Sequence, residues 1–248
     1  MRRIAIYGKG GIGKSTICSN LASAMAADGF KVMQIGCDPK ADSTALHRKG
    51  VKLPTVLDTM RAKGSDWSLD EVVHVSDDGV FCIEAGGPVP GLGCAGRGII
   101  TALEKLEEKG LYEKYEPDVI LYDVLGDVVC GGFSMPMRSG YADTVYVVTS
   151  GENMSIYAAA NIAMAISNFR GRGYAKLGGL ILNRRDVRNE EEKVRELAAD
   201  LETDIISDIP RSSDIQDAED AGETIVRLMP ECEVSEIIRK TARRILSE

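Results

Sequence analysis

The sequence predicts an α/β fold built on a mostly parallel, doubly wound sheet flanked by helices. Short β-branched or apolar runs alternate with stretches of three-to-four-residue apolar spacing, and that order implies parallel pairing through right-handed crossovers. Glycine is concentrated at residues 8–13, 86–98 and 126–132, each directly after an apolar run, where the carboxyl edge of an open parallel sheet builds its ligand site. A length of 248 residues, at about 150 per domain, fits one large domain spanning 1–248.

The strands are expected at residues 3–7, 31–35, 80–84, 119–122, 144–149, 177–182 and 204–209. Each is a short run dominated by β-branched or other apolar residues, as strands buried on both faces require. Helical spacing covers 15–27, 99–109, 155–169, 190–201 and 234–246. The last is amphipathic, with Ile237, Ile238, Thr241, Ala242, Ile245 and Leu246 on one side and Arg239, Lys240, Arg243 and Arg244 on the other. It is expected to pack on the sheet with its arginines reaching to water; the alternative is a helix lying on a membrane. Residues 190–192 and 214–223 read as solvated acidic helix faces, and Cys232 as a spectator.

Composition narrows the class. The chain is 44% hydrophobic and 27% charged, with 8 prolines, far from disordered or low-complexity composition. Thirty Lys and Arg against 38 Asp and Glu give a net charge of −8. That argues against broad binding to nucleic acid or to anionic membrane, both of which need a basic surface, and no apolar run approaches the ~18 residues of a spanning helix. Six scattered cysteines and no secretory signal point to a reducing, cytoplasmic setting. Cys18, Cys37, Cys82, Cys94, Cys130 and Cys232 never form a CxxC pair, and there are only 2 histidines. A self-contained zinc or ferredoxin-type site is therefore not expected.

Directly after the first strand, Gly8-Lys9-Gly10-Gly11-Ile12-Gly13-Lys14-Ser15 fits G-x-x-x-x-G-K-[ST] and opens a helix. The glycines let successive backbone N–H groups turn around phosphate oxygens, and the following helix adds the positive end of its dipole. Lys14 would neutralise the phosphates, Ser15 would ligate Mg²⁺, and Thr16 belongs to the same binding set. A plain glycine turn has no role for the Lys-Ser pair. The fold expected is thus a P-loop NTPase binding MgATP and MgADP. Lys9 is a second lysine on one short arc and is expected to point outward. The pattern resembles the deviant phosphate loop of the dimeric ATPases that include Min- and Par-type proteins, arsenite pump ATPases and nitrogenase iron proteins. In that class the equivalent lysine reaches the partner subunit's nucleotide; the alternative for Lys9 is a solvated loop lysine.

Two further segments carry acids to the same edge. Residues 37–44 follow the second strand and offer Asp38 and Asp42 around Lys40; residues 123–126 follow the fourth strand as D-x-x-G, with Asp123, Gly126 and then Asp127. Acids beside a Mg-phosphate site orient water or hold the metal, which fits hydrolysis coupled to movement. Lys9, Lys14, Asp38 and Asp127 form the expected catalytic set.

Cys94 and Cys130 each lie among glycines, unlike Cys18 and Cys82, which sit in apolar runs. Glycine admits backbone amides to cluster sulfurs. A symmetric dimer would supply four thiolates from such a pair; a catalytic dithiol and plain structural thiols are the alternatives. The whole chain resembles the nitrogenase iron protein family, through residues 7–15, 36–44, 86–88, 91–98 and 122–133. The resemblance implies a homodimer holding one 4Fe–4S cluster through Cys94 and Cys130 of each subunit, MgATP at each phosphate loop, and Arg97 at the docking surface, where nitrogenase members can be ADP-ribosylated. By the same analogy Asn183, Pro210, Arg211 and Gln216 contact the nucleobase. A ferredoxin or flavodoxin-type donor and a nitrogenase-like catalytic component as acceptor follow from it, with neither nucleic acid nor membrane as partner.

The family divides by acceptor. This chain stops at Glu248, where nitrogenase members continue across the other subunit; Val89 stands where Glu is usual, and Asn183-Arg184-Arg185 replaces a more usual Asn-Ser-Arg. Ala95 and Arg97 differ from the bacteriochlorophyll branch. The expectation is a nitrogenase-like reductase for a tetrapyrrole, such as Ni-sirohydrochlorin a,c-diamide reductive cyclase; the alternatives are the iron protein of nitrogenase itself and, distantly, a Min- or Par-type ATPase without a cluster.

Overall fold

In a computed structural model, residues 1–87, 95–126, 135–137, 141–168 and 174–247 are described. Cys94, Asp127 and Cys130 lie outside them, as does Val89. Among the described residues the strands are β1 (Arg2–Gly8), β2 (Val32–Cys37), β3 (His74–Val75), β4 (Phe81–Glu84), β5 (Val119–Val124), β6 (Thr144–Thr149), β7 (Lys176–Asn183) and β8 (Ile205–Ile209). The helices are α1 (Lys14–Ala27), α2 (Val56–Lys63), α3 (Ala95–Glu108), α4 (Leu111–Tyr115), α5 (Asn153–Asn168), α6 (Glu190–Asp200), α7 (Ser213–Asp220), α8 (Ile225–Leu228) and α9 (Glu233–Ser247). All seven expected strands and five expected helices are present.

The strands form one sheet in the order β3-β4-β2-β5-β1-β6-β7-β8. Every pairing is parallel except β3 with β4. From β1 the chain passes to β2 and out to the edge at β3, returns through β4 to place β5 between β2 and β1, and then fills the other half with β6, β7 and β8. So β1 lies between β5 and β6, and the direction of winding reverses beside it. Alternate residues of the strands face opposite layers. Tyr7, Ile35, Tyr122 and Val147 pack with Ile99 and Leu103 of α3, Ile162 of α5 and Val194 of α6. Ile6, Leu121, Val148 and Ile181 pack with Leu21 and Met25 of α1 and with Ile238 and Ile245 of α9.

The terminal helix follows the packing expectation. Val234, Ile238, Ala242 and Ile245 are buried, while Arg243 pairs with Asp28 at 2.9 Å and Arg244 with Asp204 at 3.2 Å. An apolar face already committed to the core is not available to a membrane. Cys232 does more than expected: its Sγ accepts from the Ser235 amide at 3.4 Å and so caps the start of α9. No helix among the described residues is long and apolar enough to cross a membrane.

Candidate functional site

The carboxyl ends of β1, β2 and β5 converge on one place. The backbone pairs Ile6 with Asp123 and Gly36 with Asp123, so the fifth strand sets its acid between the phosphate loop and the 37–44 segment. The loop itself ends at Gly13, which takes a left-handed φ of 96° at the N-cap of α1. No side chain caps this helix and its first turn has no acidic residue, which leaves backbone N–H groups for an anion. Lys14 is 8% exposed and donates from Nζ to the Lys9 carbonyl at 3.1 Å.

A cleft of about 700 Å³ opens beside this helix end, of the size that takes a nucleotide. Gly10, Gly11, Gly13, Lys14, Ser15 and Thr16 of the phosphate loop line it together with Asp38, Lys40 and Asp42 and with Asn183, Pro210, Arg211 and Gln216. Segments far apart in sequence thus meet at one cleft. Gly8 and Ile12 are buried beneath the loop, and Lys9 is half-buried. Asp123, 2% exposed, accepts from the Ser15 hydroxyl and from Ser43 Oγ at 2.6 Å. Burial raises its carboxyl above the ordinary range, while these hydrogen bonds and the Lys14 charge pull it back. Arg97 is exposed on α3.

Gly126 brings the γ-sensing segment against the loop. A Cβ there would lie 2.6 Å from the Gly10 amide nitrogen and 2.7 Å from the Lys9 carbonyl carbon, so only glycine permits the contact.

Some residues take roles the sequence did not suggest. Asn183 donates from Nδ2 to the Ile12 carbonyl at 2.7 Å, and Arg185 from Nη2 to the Gly11 carbonyl, also at 2.7 Å. Both brace the phosphate loop from β7. Thr16 donates to Glu219 at 2.5 Å. Glu190 is not on a solvated face: it is 5% exposed, and accepts from the backbone N–H groups of Gly151, Arg185 and Asp186 at 2.8 to 3.1 Å. Unpaired amides at a loop junction captured this carboxylate, for which an acidic run in sequence gives no signal.

Glu84 is another unforeseen acid. It ends β4, is fully buried, and accepts through Oε1 from the Thr44 amide at 2.8 Å and the Thr44 hydroxyl at 2.6 Å. Arg48 stands 3.6 Å away. Burial pushes its carboxyl up to about 7, against the pull of Thr44 and Arg48. A raised acid contributes stability that is complete below its unfolded value and lost as pH rises through the folded one. Glu84→Gln is expected to remove that loss: relative to wild type its unfolding free energy should gain about 2 kcal/mol between about pH 5.5 and 8.5. Denaturant titration at both pH values measures it, and a pH-independent difference contradicts the assignment.

The cysteines among the described residues do not suit a cluster. Cys18 and Cys37 are fully buried with thiols pushed up by burial, and burial takes Cys82 up to about 12. No group of three or more His, Cys, Asp or Glu among the described residues is placed to hold a metal ion.

A glycine phosphate loop at the end of the central strand β1, with acids at the ends of β5 beside it and β2 one strand further out, defines a P-loop ATPase. The cell division ATPase MinD of Pyrococcus furiosus has the same fold, with a TM-score of 0.77 over 100% of this chain and 99% of its own at 21% identity. The sequence profile of the 4Fe-4S iron sulfur cluster binding proteins, NifH/frxC family, matches residues 2–248, and the chain belongs to that family. It is 50% identical over 250 residues to the nitrogenase iron protein of Methanospirillum hungatei, covering 100% of this chain and 88% of that one. It is likewise 50% identical over 245 residues to nitrogenase iron protein 2 of Methanothermobacter thermautotrophicus, covering 99% and 89%. Membership makes it an ATPase and an oxidoreductase component of a nitrogenase-type system, with a 4Fe–4S cluster and MgATP as cofactors. The MgATP part fits the bare helix end, the buried lysine and the volume of the cleft.

Proposed function

We propose that the chain works as a homodimer that delivers low-potential electrons to a nitrogenase-like catalytic component, gated by MgATP binding and hydrolysis. The observation that carries this is the seat of Gly126 against the backbone of Lys9 and Gly10: with no space between them, a γ-phosphate held by the loop would press directly on the segment that leads to Cys130. From Asp123 to Cys130 is seven positions, at most ~25 Å of extended chain, so one short segment joins nucleotide to cluster. When bound, the cluster supplies the transferable electron.

In this reading Lys14 would neutralise the phosphates, Ser15 would hold Mg²⁺ through its oxygen while its hydroxyl donates a hydrogen bond to Asp123, and Asp38 and Asp127 would orient water. Lys40 and Asp42 close the phosphate side, and Asn183, Pro210, Arg211 and Gln216 the base side. Lys9 serves the partner's nucleotide, which makes dimer geometry and nucleotide state one coupled variable. Cys94 and Cys130 of both subunits ligate the cluster, and Arg97 lies on the docking face. A ferredoxin or flavodoxin-type protein reloads it.

Two acceptors divide the reading. Val89 and Arg184 stand at positions where nitrogenase members usually differ, favouring a nitrogenase-like tetrapyrrole reductase such as Ni-sirohydrochlorin a,c-diamide reductive cyclase. The names of relatives at 46 to 50% identity favour nitrogenase itself. Anaerobic co-purification with MgATP and a non-hydrolysable mimic separates them. A captured partner that carries tetrapyrrole supports the first, one that reduces acetylene supports the second, and a dimer that captures neither contradicts electron delivery of this kind.

A further inference from the structure

A hydrogen-bond chain crosses the layer between β2 and α1 and ends on Asp123, and its inner members are not among the residues that line the cleft. Gln34, Ser19, Ser43 and His47 are all buried. The donor direction follows from the partners. The Ser43 carbonyl can only accept, and Gln34 Nε2 lies 2.9 Å from it, so the amide nitrogen is fixed there and Gln34 Oε1 faces His47 Nε2 at 3.0 Å. His47 therefore donates through Nε2. Its Nδ1 faces Asp78 at 3.2 Å. On the other side Gln34 Nε2 lies 3.1 Å from both Ser43 Oγ and Ser19 Oγ, and Ser43 Oγ donates to Asp123 at 2.6 Å. The donors run one way, from His47 through Gln34 and Ser43 to Asp123. Hydrogen bonds aligned in this manner polarise one another in a low-dielectric interior.

We propose that Gln34 and His47 are positioning residues for ATP hydrolysis: they fix the Ser43 hydroxyl as a donor to Asp123, so that Asp123 stays aimed at the Ser15 hydroxyl. Without Gln34 the Ser43 hydroxyl loses the donor that fixes its rotation, and Asp123 loses the partner that orients it. A small misplacement at a phosphoryl-transfer site slows the chemical step far more than it weakens ground-state binding. This inference rests on the reading of Lys14, Ser15 and Asp123 as the nucleotide site.

The test is single-turnover hydrolysis of MgATP by the anaerobically purified dimer, for wild type, Gln34→Leu, His47→Gln, His47→Asn and Lys14→Ala. MgADP affinity and thermal midpoint are measured on each. A glutamine at 47 carries an N–H where Nε2 stands and keeps the donation to Gln34; an asparagine reaches only the Nδ1 position and keeps the contact with Asp78. Gln34→Leu and His47→Asn are expected to slow hydrolysis ~10-fold or more while MgADP affinity changes by less than about threefold. His47→Gln should hydrolyse at the wild-type rate. Equal rates for the two His47 variants, or a folded Gln34→Leu protein at the wild-type rate, overturn the proposal; if Gln34→Leu does not fold, the His47 pair decides. Hydrolysis that survives Lys14→Ala instead overturns the nucleotide-site reading itself.

Discussion

Replacement of Lys14 by alanine is expected to lower MgATP hydrolysis by ~100-fold or more and to leave the fold intact. The ammonium group is held inside the loop by the Lys9 carbonyl at the bare end of α1, where phosphate charge would develop. Phosphoryl transfer asks little covalent chemistry of a protein, so most of the rate comes from charges placed in advance. Lys14 has a second effect on the site, because its charge is among the influences that hold the Asp123 carboxyl down against burial. Its loss removes a phosphate ligand and loosens the acid that orients Ser15. Hydrolysis assays on the purified variant, with circular dichroism to confirm the fold, measure this; undiminished turnover contradicts the role.

Cys94→Ala and Cys130→Ala should each empty the dimer of iron, from about four iron atoms to nearly none, since a 4Fe–4S cluster needs four thiolates and each variant removes two at once by symmetry. The sheet should survive, as its core lies in the two layers around β1. Metal analysis of anaerobically prepared protein reads the outcome. Full iron retention in either variant contradicts shared ligation.

Much of this was legible in the residues. Parallel strands covered on both faces are continuous apolar runs, so β1, β5 and β6 stand out, and the phosphate loop carries its own spacing. The two-residue edge strand β3 was not foreseen, because it is too short to show a period. The buried polar residues were the larger omission. Gln34 lies inside the apolar strand β2 and Glu84 ends the apolar strand β4, and a polar residue in such a run is the one signal the sequence holds; their partners Ser43, His47 and Thr44 come from elsewhere in the chain. Glu190 differs from the expectation for a related reason: an acidic run at a helix start shows three candidates for water and not which one the loop amides capture. The terminal helix was read correctly because its apolar stripe was wide enough to demand a core.

The central claim is that the segment from Asp123 to Cys130 carries nucleotide state to the cluster. Its most direct measure is the rate at which a ferrous chelator removes iron from the anaerobic dimer, alone, with MgATP and with MgADP. MgATP should speed removal at least ~10-fold over the nucleotide-free protein, with MgADP well below it. Identical rates in all three conditions would contradict the account.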